Sequence, residues 1–382
     1  PSERVATQLS LLLTNIARFD FPARAEGLLE GLAGAAHWGS PHPPHARLRA
    51  LKALRRVLAG LATKRFVLET PQPGQAVDLR ALSAAIGAER ELFKRKVADV
   101  FGPLRELFCH HAEAFLRQEP GWDMHALFAK AAITGVAEQL ALVPTGDALP
   151  AGTDQLLQVA HGLLGAVQSG TPRGGPSPPE NPALWNEAGG RVAERVARAL
   201  IAALDHYAVP FAEYLPHFLQ LFVAGALVGG PAAAVRAMRP KRRVLVVRFI
   251  AKALLCPFYR PEWVEAPVPM AVPQEQRQAA LQAKARAAAA QRALESLLSG
   301  ASGQAALLTE AVVAKYVALS PEELAEWRDD PESYARAMDV ESGPDADTPR
   351  CIGVGLLLCM LERGGEPVAQ ALIGLAARLQ SV

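Results

Sequence analysis

Apolar residues recur along this chain at spacings of three and four. Leu48, Leu51, Leu54, Leu58 and Leu61 form one stripe. Val192, Val196, Leu200, Leu204 and Tyr207 form a second, and Val368, Leu372, Leu375 and Leu379 a third. Each spacing keeps to one face of an α-helix, so each predicts an amphipathic helix with that face in a core. Period-2 alternation, the mark of a half-buried strand, is hard to find. Val244-Leu245-Val246-Val247 has the β-branching of a strand, but Val244, Val247, Ala251 and Leu254 continue a helical face.

Proline and glycine divide these helices at short intervals. Breaks are expected at Phe21-Pro22, Gly39 to Pro44, Pro71 to Gly74, Gly121, Pro144 to Gly152, Pro210, Gly229 to Pro231 and Pro257 to Pro273. Helix pairs therefore recur at roughly 40 residues, the HEAT/armadillo period. The predicted fold is all-α: a HEAT/armadillo-like α-solenoid of antiparallel helix pairs over residues 1–382 as one segment. Three stretches are expected to be mobile loops: the Pro/Gly-rich 169–182, the extended, proline-rich 260–273, and the Asp/Gly/Pro-rich 339–349. The Ala-rich helix Gln274 to Leu298 has a weak apolar face and is expected to be partly exposed.

Composition agrees with this picture. Half of the 382 residues are hydrophobic but only 6% are aromatic, and Ala and Leu are the better helix formers. A solenoid of this length needs no division into globular domains, because its core grows in one dimension. The net charge of +2 gives no concentrated basic face, so nucleic acid is not an expected partner. The strongest membrane candidate, Val244 to Phe258, is short and carries Arg248 and Lys252, which fits a buried solenoid helix better than a membrane span. Cys109, Cys256, Cys351 and Cys359 sit in apolar helical runs without Cys-x-x-Cys spacing and read as reduced core residues of a reducing compartment.

The sharpest local signal is Tyr316 to Tyr334. Ser320 can cap a helix, Pro321 fits its first position, and Glu323 can close a capping box. Leu324 and Trp327 share a face and predict a packed tryptophan; Glu322, Glu323 and Glu326 are expected to face water. This stretch resembles the importin-beta family of nuclear transport receptors, in which an "LSxEELxxWxxDPExF" motif lies between paired helices. A variable loop, an Arg and an apolar helix pair ending in "LQ" follow it in the family. The counterparts are Leu319 to Tyr334, Arg350, Cys351 to Leu361, and Leu379-Gln380. Asn15 to Pro22 is similar to the family's "IARxDxP" turn, although Ala23 to Leu28 departs from the family's "xxWPEL". Ala59 to Phe66, followed by a helix with His110-His111 and Phe115-Leu116, is most similar to the importin-eleven branch. The resemblance covers roughly residues 5–120 and 310–381.

The resemblance implies a shuttling receptor of cytoplasm and nucleus. Its partners would be protein cargo, the GTP form of the Ran GTPase and Phe-Gly nucleoporins. Import is the expected direction; an exportin-type receptor and a HEAT-repeat assembly scaffold are the alternatives. Because the family's chains are much longer, repeats missing on both sides are also implied, and Ran contact by residues 1–382 alone is expected to be reduced.

Candidate chemistry adds little. There is no phosphate-binding Gly-Lys-Ser/Thr, no G-x-S-x-G and no H-E-x-x-H, and Arg173-Gly174-Gly175-Pro176 is no P-loop. No enzyme, cofactor, catalytic residue or metal ligand is expected. Cys109, His110, His111 and His125 were the closest to a metal set, but adjacent helical residues diverge by about 100°, so at most two should face one ion. His42-Pro-Pro-His45 lacks further ligands. Arg239-Pro-Lys241-Arg242-Arg243 reads as the solvated start of a helix, the acidic set Glu322, Glu323, Glu326, Asp329, Asp330 and Glu332 as a solvated face, and Arg18 and Asp20 as the ties of a tight inter-helix turn.

Overall fold

A computed structural model describes residues 3–64, 79–143, 148–172, 181–230, 235, 238–271, 273–300, 303–341 and 348–380. Among these residues there is no strand, and the all-α expectation holds. Packing divides the segment into two compact units, Pro1–His206 and Tyr207–Val382.

In the first unit the helices are α1 (Glu3–Asp20), α2 (Leu28–Ala36), α3 (Pro44–Leu61), α4 (Leu79–Ala98), α5 (Phe101–Leu116), α6 (Trp122–Leu142), α7 (Thr153–Ser169) and α8 (Pro182–His206). Three hairpins stack here. The first helices α2, α5 and α7 pack on one another as one layer; the second helices α3, α6 and α8 form the other, with α1 against α3. Neighbour-to-neighbour packing of hairpins is the solenoid pattern. The Leu48 to Leu61 stripe is buried throughout, as is the stripe from Val192 to Tyr207. Trp185, fully buried, stacks on Phe115 with ring centroids 5.1 Å apart. Helix α8 passes close to this pair because Gly189 has no side chain: a Cβ there would lie 2.8 Å from Val167 Cγ2.

The second unit contains α9 (Ala208–Phe211), α10 (Leu215–Val223), α11 (Pro240–Leu255), α12 (Pro261–Val264), α13 (Gln274–Leu297), α14 (Gln304–Val312), α15 (Pro321–Asp329), α16 (Pro331–Glu341), α17 (Pro349–Gly364) and α18 (Glu366–Gln380). Both α10 and α14 end in a π-turn, Ala224–Val228 and Val313–Val317. Helix α11 packs on α17, and α14 on α18. Phe211, Phe218, Phe222 and Phe249 form its aromatic core. Of the Val244 to Phe258 run, the part to Leu255 is a core helix as expected, with Val244 to Val247, Phe249, Ile250, Ala253 and Leu254 buried, while Phe258 lies in a following 3-10 turn and is exposed. No described helix is long and apolar enough to cross a membrane.

Several expectations need correction. The third stripe is only partly a core face: Val368 is buried but Leu379 is 66% exposed. Residues 260–273 are not simply extended. Pro261–Val264 is a helical turn, and Lys284 of α13 donates to the carbonyls of Trp263 and Ala266 while lying 4.9 Å from the Trp263 ring centroid. Prolines at the first turn of a helix are compatible with helix, which is why counting them as extended chain misleads. Of the expected loop 339–349, residues to Glu341 continue α16, and 342–347 lie outside the described residues. The expected loop 169–182 is bounded by the ends of α7 and α8, and 173–180 lie outside the described residues, as does the Pro71 to Gly74 break.

Candidate functional site

Helix α15 starts as its sequence dictates. Ser320 Oγ accepts from the Glu323 N–H at 3.2 Å, and Glu323 Oε2 accepts from the Ser320 N–H at 2.6 Å. This reciprocal box satisfies two of the N–H groups that every helix start leaves open. The second carboxylate oxygen is then free to look outward, and Arg350 Nη2 donates to it at 2.6 Å. The same guanidinium reaches the Val317 carbonyl through Nε at 3.2 Å and the Tyr334 hydroxyl through Nη1 at 3.3 Å. One planar fork thus fastens the π-turn of α14, helix α15 and helix α16 to the first turn of α17. Thr348 caps that turn, accepting from the Cys351 N–H at 3.3 Å. Partial burial raises the Glu323 pKa, but the Ser320 N–H and Arg350 outweigh it and hold the carboxyl below its ordinary value. Glu323 therefore does not simply face water, as its spacing implied.

Beside this fork lies a cavity of about 310 Å³ lined by Arg243, Lys315, Tyr316, Glu322, Glu323 and Arg350. The π-turn of α14 contributes Lys315 and Tyr316 to its lining. Lys315, 7% exposed, donates through Nζ to the carbonyls of Leu227, Gly229 (3.2 Å) and Gly230 (3.0 Å) at the end of the other π-turn. Tyr316 donates to the Ala226 carbonyl at 3.3 Å. Burial pushes the Tyr316 pKa up to about 12, so its hydroxyl stays a donor at neutral pH. Arg243 lies 5.0 Å from the Tyr316 ring centroid and donates to the Lys315 carbonyl at 3.1 Å. Of the basic run, Arg239 and Lys241 are exposed as expected, whereas Arg243 is a packing residue. Helix α17 comes close enough to close the floor because residue 353 is glycine: a Cβ there would lie 2.5 Å from Tyr316 Cβ.

The expected packed tryptophan is not packed. Trp327 is 48% exposed, on a short helix with no buried residue. Glu322, Glu326, Asp329, Asp330 and Glu332 are exposed as read from sequence. Asp330 also caps α16, accepting from the Ser333 N–H at 3.0 Å. In the α1–α2 turn, backbone bonds do the tying: Phe21 N–H to the Ala17 carbonyl at 3.1 Å and Arg24 N–H to the Asp20 carbonyl at 2.7 Å. Lys64 Nζ adds a bond to the Arg18 carbonyl at 3.3 Å. Arg18 and Asp20 thus take part in the turn through their carbonyls.

In the first unit, His110 and His111 of α5 and His125 of α6 bring ring nitrogens to within 4.8 Å of one another. The divergence argument therefore fails: a second helix crosses beside the pair, and both rings turn toward it. Cys109 stays apart, buried, with its pKa pushed up to about 11 by burial. His42 and His45 are exposed and join no cluster among the described residues. Elsewhere in this unit, a concavity of about 420 Å³ between α6 and α8 is lined by Trp122, Leu127, Lys130, Leu184, Glu187 and Arg191. The histidines are visible in the sequence as a set, but their convergence is not; for Lys315 the one visible hint is a lysine inside the apolar run from Ala311 to Val317. No family model, curated protein or solved structure matches this chain, so the helical architecture and these clusters are what there is to reason from.

Proposed function

We propose that this chain is part of a nuclear transport receptor of the importin-beta type, a helical-repeat scaffold that carries protein cargo under control of RanGTP. One observation carries the reading. Ser320, Glu323, Tyr334 and Arg350, residues on which the sequence resembles that family, converge on a single hydrogen-bonded joint. A motif built for an architectural joint would have these residues in contact, whereas a chance match along a helix-rich sequence has no reason to place Arg350 on both Glu323 and Tyr334. The stacked hairpins of the first unit suit a protein partner, because stacked repeats build extended binding surfaces.

The mechanism is linkage. Cargo and RanGTP prefer different arrangements of the repeats, so binding of one changes the affinity for the other by their coupling free energy. Phe-Gly nucleoporins engage the outer helices during passage between cytoplasm and nucleus. The test is a pull-down with immobilised protein and Ran loaded with GTP or GDP, followed by competition with proteins captured in the absence of Ran. Release of bound cargo by RanGTP, with RanGDP inert, is the expected result. Strengthened cargo binding would make the protein an exporter, and indifference to both Ran forms would make it an assembly scaffold.

A further inference from the structure

We propose that His110, His111 and His125 form a binding site for one divalent transition-metal ion of the Zn²⁺ type, with water completing the coordination. Helix α5 supplies two ligands and the first turns of α6 the third, with the linker between the helices only a few residues long. The candidate ligand nitrogens all lie within 4.8 Å of one another, and Nδ1 of His111 is 2.9 Å from Nδ1 of His125. Two nitrogens of a tetrahedral zinc site stand roughly 3.3 Å apart, given Zn–N bonds of about 2.0–2.1 Å. The present separations bracket that value, so small ring rotations seat the ion without moving either helix.

His111 is poorly satisfied without a ligand. His111 is 4% exposed, and its Nε2 has no hydrogen-bond partner. A dry, unpaired ring nitrogen is costly, and most such groups in native proteins are satisfied. The cluster-facing nitrogen is Nδ1, which meets only another imidazole, so one of the two rings must spend its N–H on the other; a metal ion there would take the lone pairs of both rings and leave the N–H on each Nε2. The rings are held for it. His110 stacks on Trp38 with centroids 4.6 Å apart, and His111 on Phe128 at 4.3 Å. Aromatic walls of this kind fix ring orientation and exclude water, as the surroundings of metal sites do.

The electrostatics are compatible with a bound cation. Burial disfavours the charged form of all three imidazoles and so favours the neutral form that binds a metal. Arg47 and Arg117 are opposing charges, but Nη1 of Arg47 is drawn to the Trp38 carbonyl at 2.6 Å and Nε of Arg117 to Glu119 at 2.9 Å. Glu119 acts in favour of positive charge at both His110 and His125, and Asp123 at His125. An all-imidazole donor set suits Zn²⁺, Co²⁺, Ni²⁺ and Cu²⁺ and is a poor one for Mg²⁺ or Ca²⁺, which want oxygen.

The test uses the whole chain, stripped with a chelator and dialysed. Zn²⁺ is titrated by calorimetry, and Co²⁺ by visible absorption, whose d–d bands report geometry. One equivalent binding at micromolar concentration or tighter, with a tetrahedral or five-coordinate Co²⁺ spectrum and a raised Tm, is expected. His110→Gln and His125→Gln lie at the accessible edge and should keep the helical circular dichroism. Each should weaken Zn²⁺ by at least about 10- to 100-fold, the scale on which even outer-shell groups matter. A His42→Gln/His45→Gln variant should bind as the parent does. Absence of a one-equivalent site at 100-fold excess metal, on the order of magnitude needed to load any specific site, overturns the proposal. So does binding that survives intact in both edge variants, or that disappears in the His42/His45 variant.

Discussion

Nζ of Lys315 lies 3.0 Å from the carbonyl oxygen of Gly230, the last of three carbonyls it collects at the end of the α10 π-turn. Helix ends leave carbonyls without intrahelical partners and carry the negative end of the helix dipole. A buried ammonium is normally a liability; here it is the C-terminal cap of one π-turn supplied by the other. Lys315→Met keeps the apolar stem and removes the donors. It should cost about 1–3 kcal/mol, the penalty for stranding buried acceptors, read as a lower urea midpoint at unchanged slope. An unchanged midpoint would mean that water replaces the lysine.

The joint of Glu323 and Arg350 yields a coupling. A double-mutant cycle with Glu323→Gln and Arg350→Ala should return about 1 kcal/mol of interaction, the upper range for a partly exposed ion pair. Arg350→Lys should not rescue Arg350→Ala by much, because one ammonium cannot reach three acceptors spread around a planar fork. A full rescue by lysine would reduce the joint to simple charge pairing.

Trp327 is the position where removal of a large ring should do little to stability. A buried tryptophan truncated to alanine costs about 3–5 kcal/mol, which is the expectation for Trp185→Ala, fully buried against Phe115. For Trp327→Ala, with the ring 48% exposed, less than about 1 kcal/mol is expected. Chemical denaturation of the two variants side by side decides the matter, and a large loss at Trp327 would show that a partner surface covers it in solution.

Acid should unfold the first unit earlier than its carboxylates alone dictate. Burial, reinforced by the positive charge of His125, His110 and Arg47, pushes the His111 pKa down to about 3. In the unfolded chain this ring binds its proton near pH 6.5. Between those values the unfolded state holds the extra proton, so stability is full above about pH 6.5 and falls as pH drops toward 3, by up to about 1.4 kcal/mol per pH unit. Subtracting the pH–stability curve of His111→Gln from that of the parent isolates the effect. Parallel curves through pH 4–6 would show that His111 is protonated in the folded state.

Gly353 sets the approach of α17 to the cavity floor. With a Cβ only 2.5 Å from Tyr316 Cβ, Gly353→Ala must displace Tyr316 or the helix, at about 1–3 kcal/mol. Loss of near-ultraviolet dichroism from the tyrosine region should accompany the lowered Tm; a neutral effect on both would mean that the two helices slide apart easily.

What the sequence determined by itself was whatever depends on neighbours within one or two turns. The stripes Leu48 to Leu61 and Val192 to Tyr207 fixed helices and their buried faces, because a period of 3.6 residues can satisfy only one kind of backbone. The box at Ser320 and Glu323 was legible for the same reason: its two bonds span three residues. Tertiary structure decided the rest. Trp327 and Leu379 carry the right period, yet they stay 48% and 66% exposed, and periodicity names a face without naming what covers it. His110, His111 and His125 converge only because α6 crosses α5 on the side to which both rings turn. Lys315 is buried rather than solvated because carbonyls from 85 residues away meet its ammonium. Long-range polar partners of this kind leave no periodic trace in a chain, since a hydrogen bond needs one residue at each end and imposes no spacing between them.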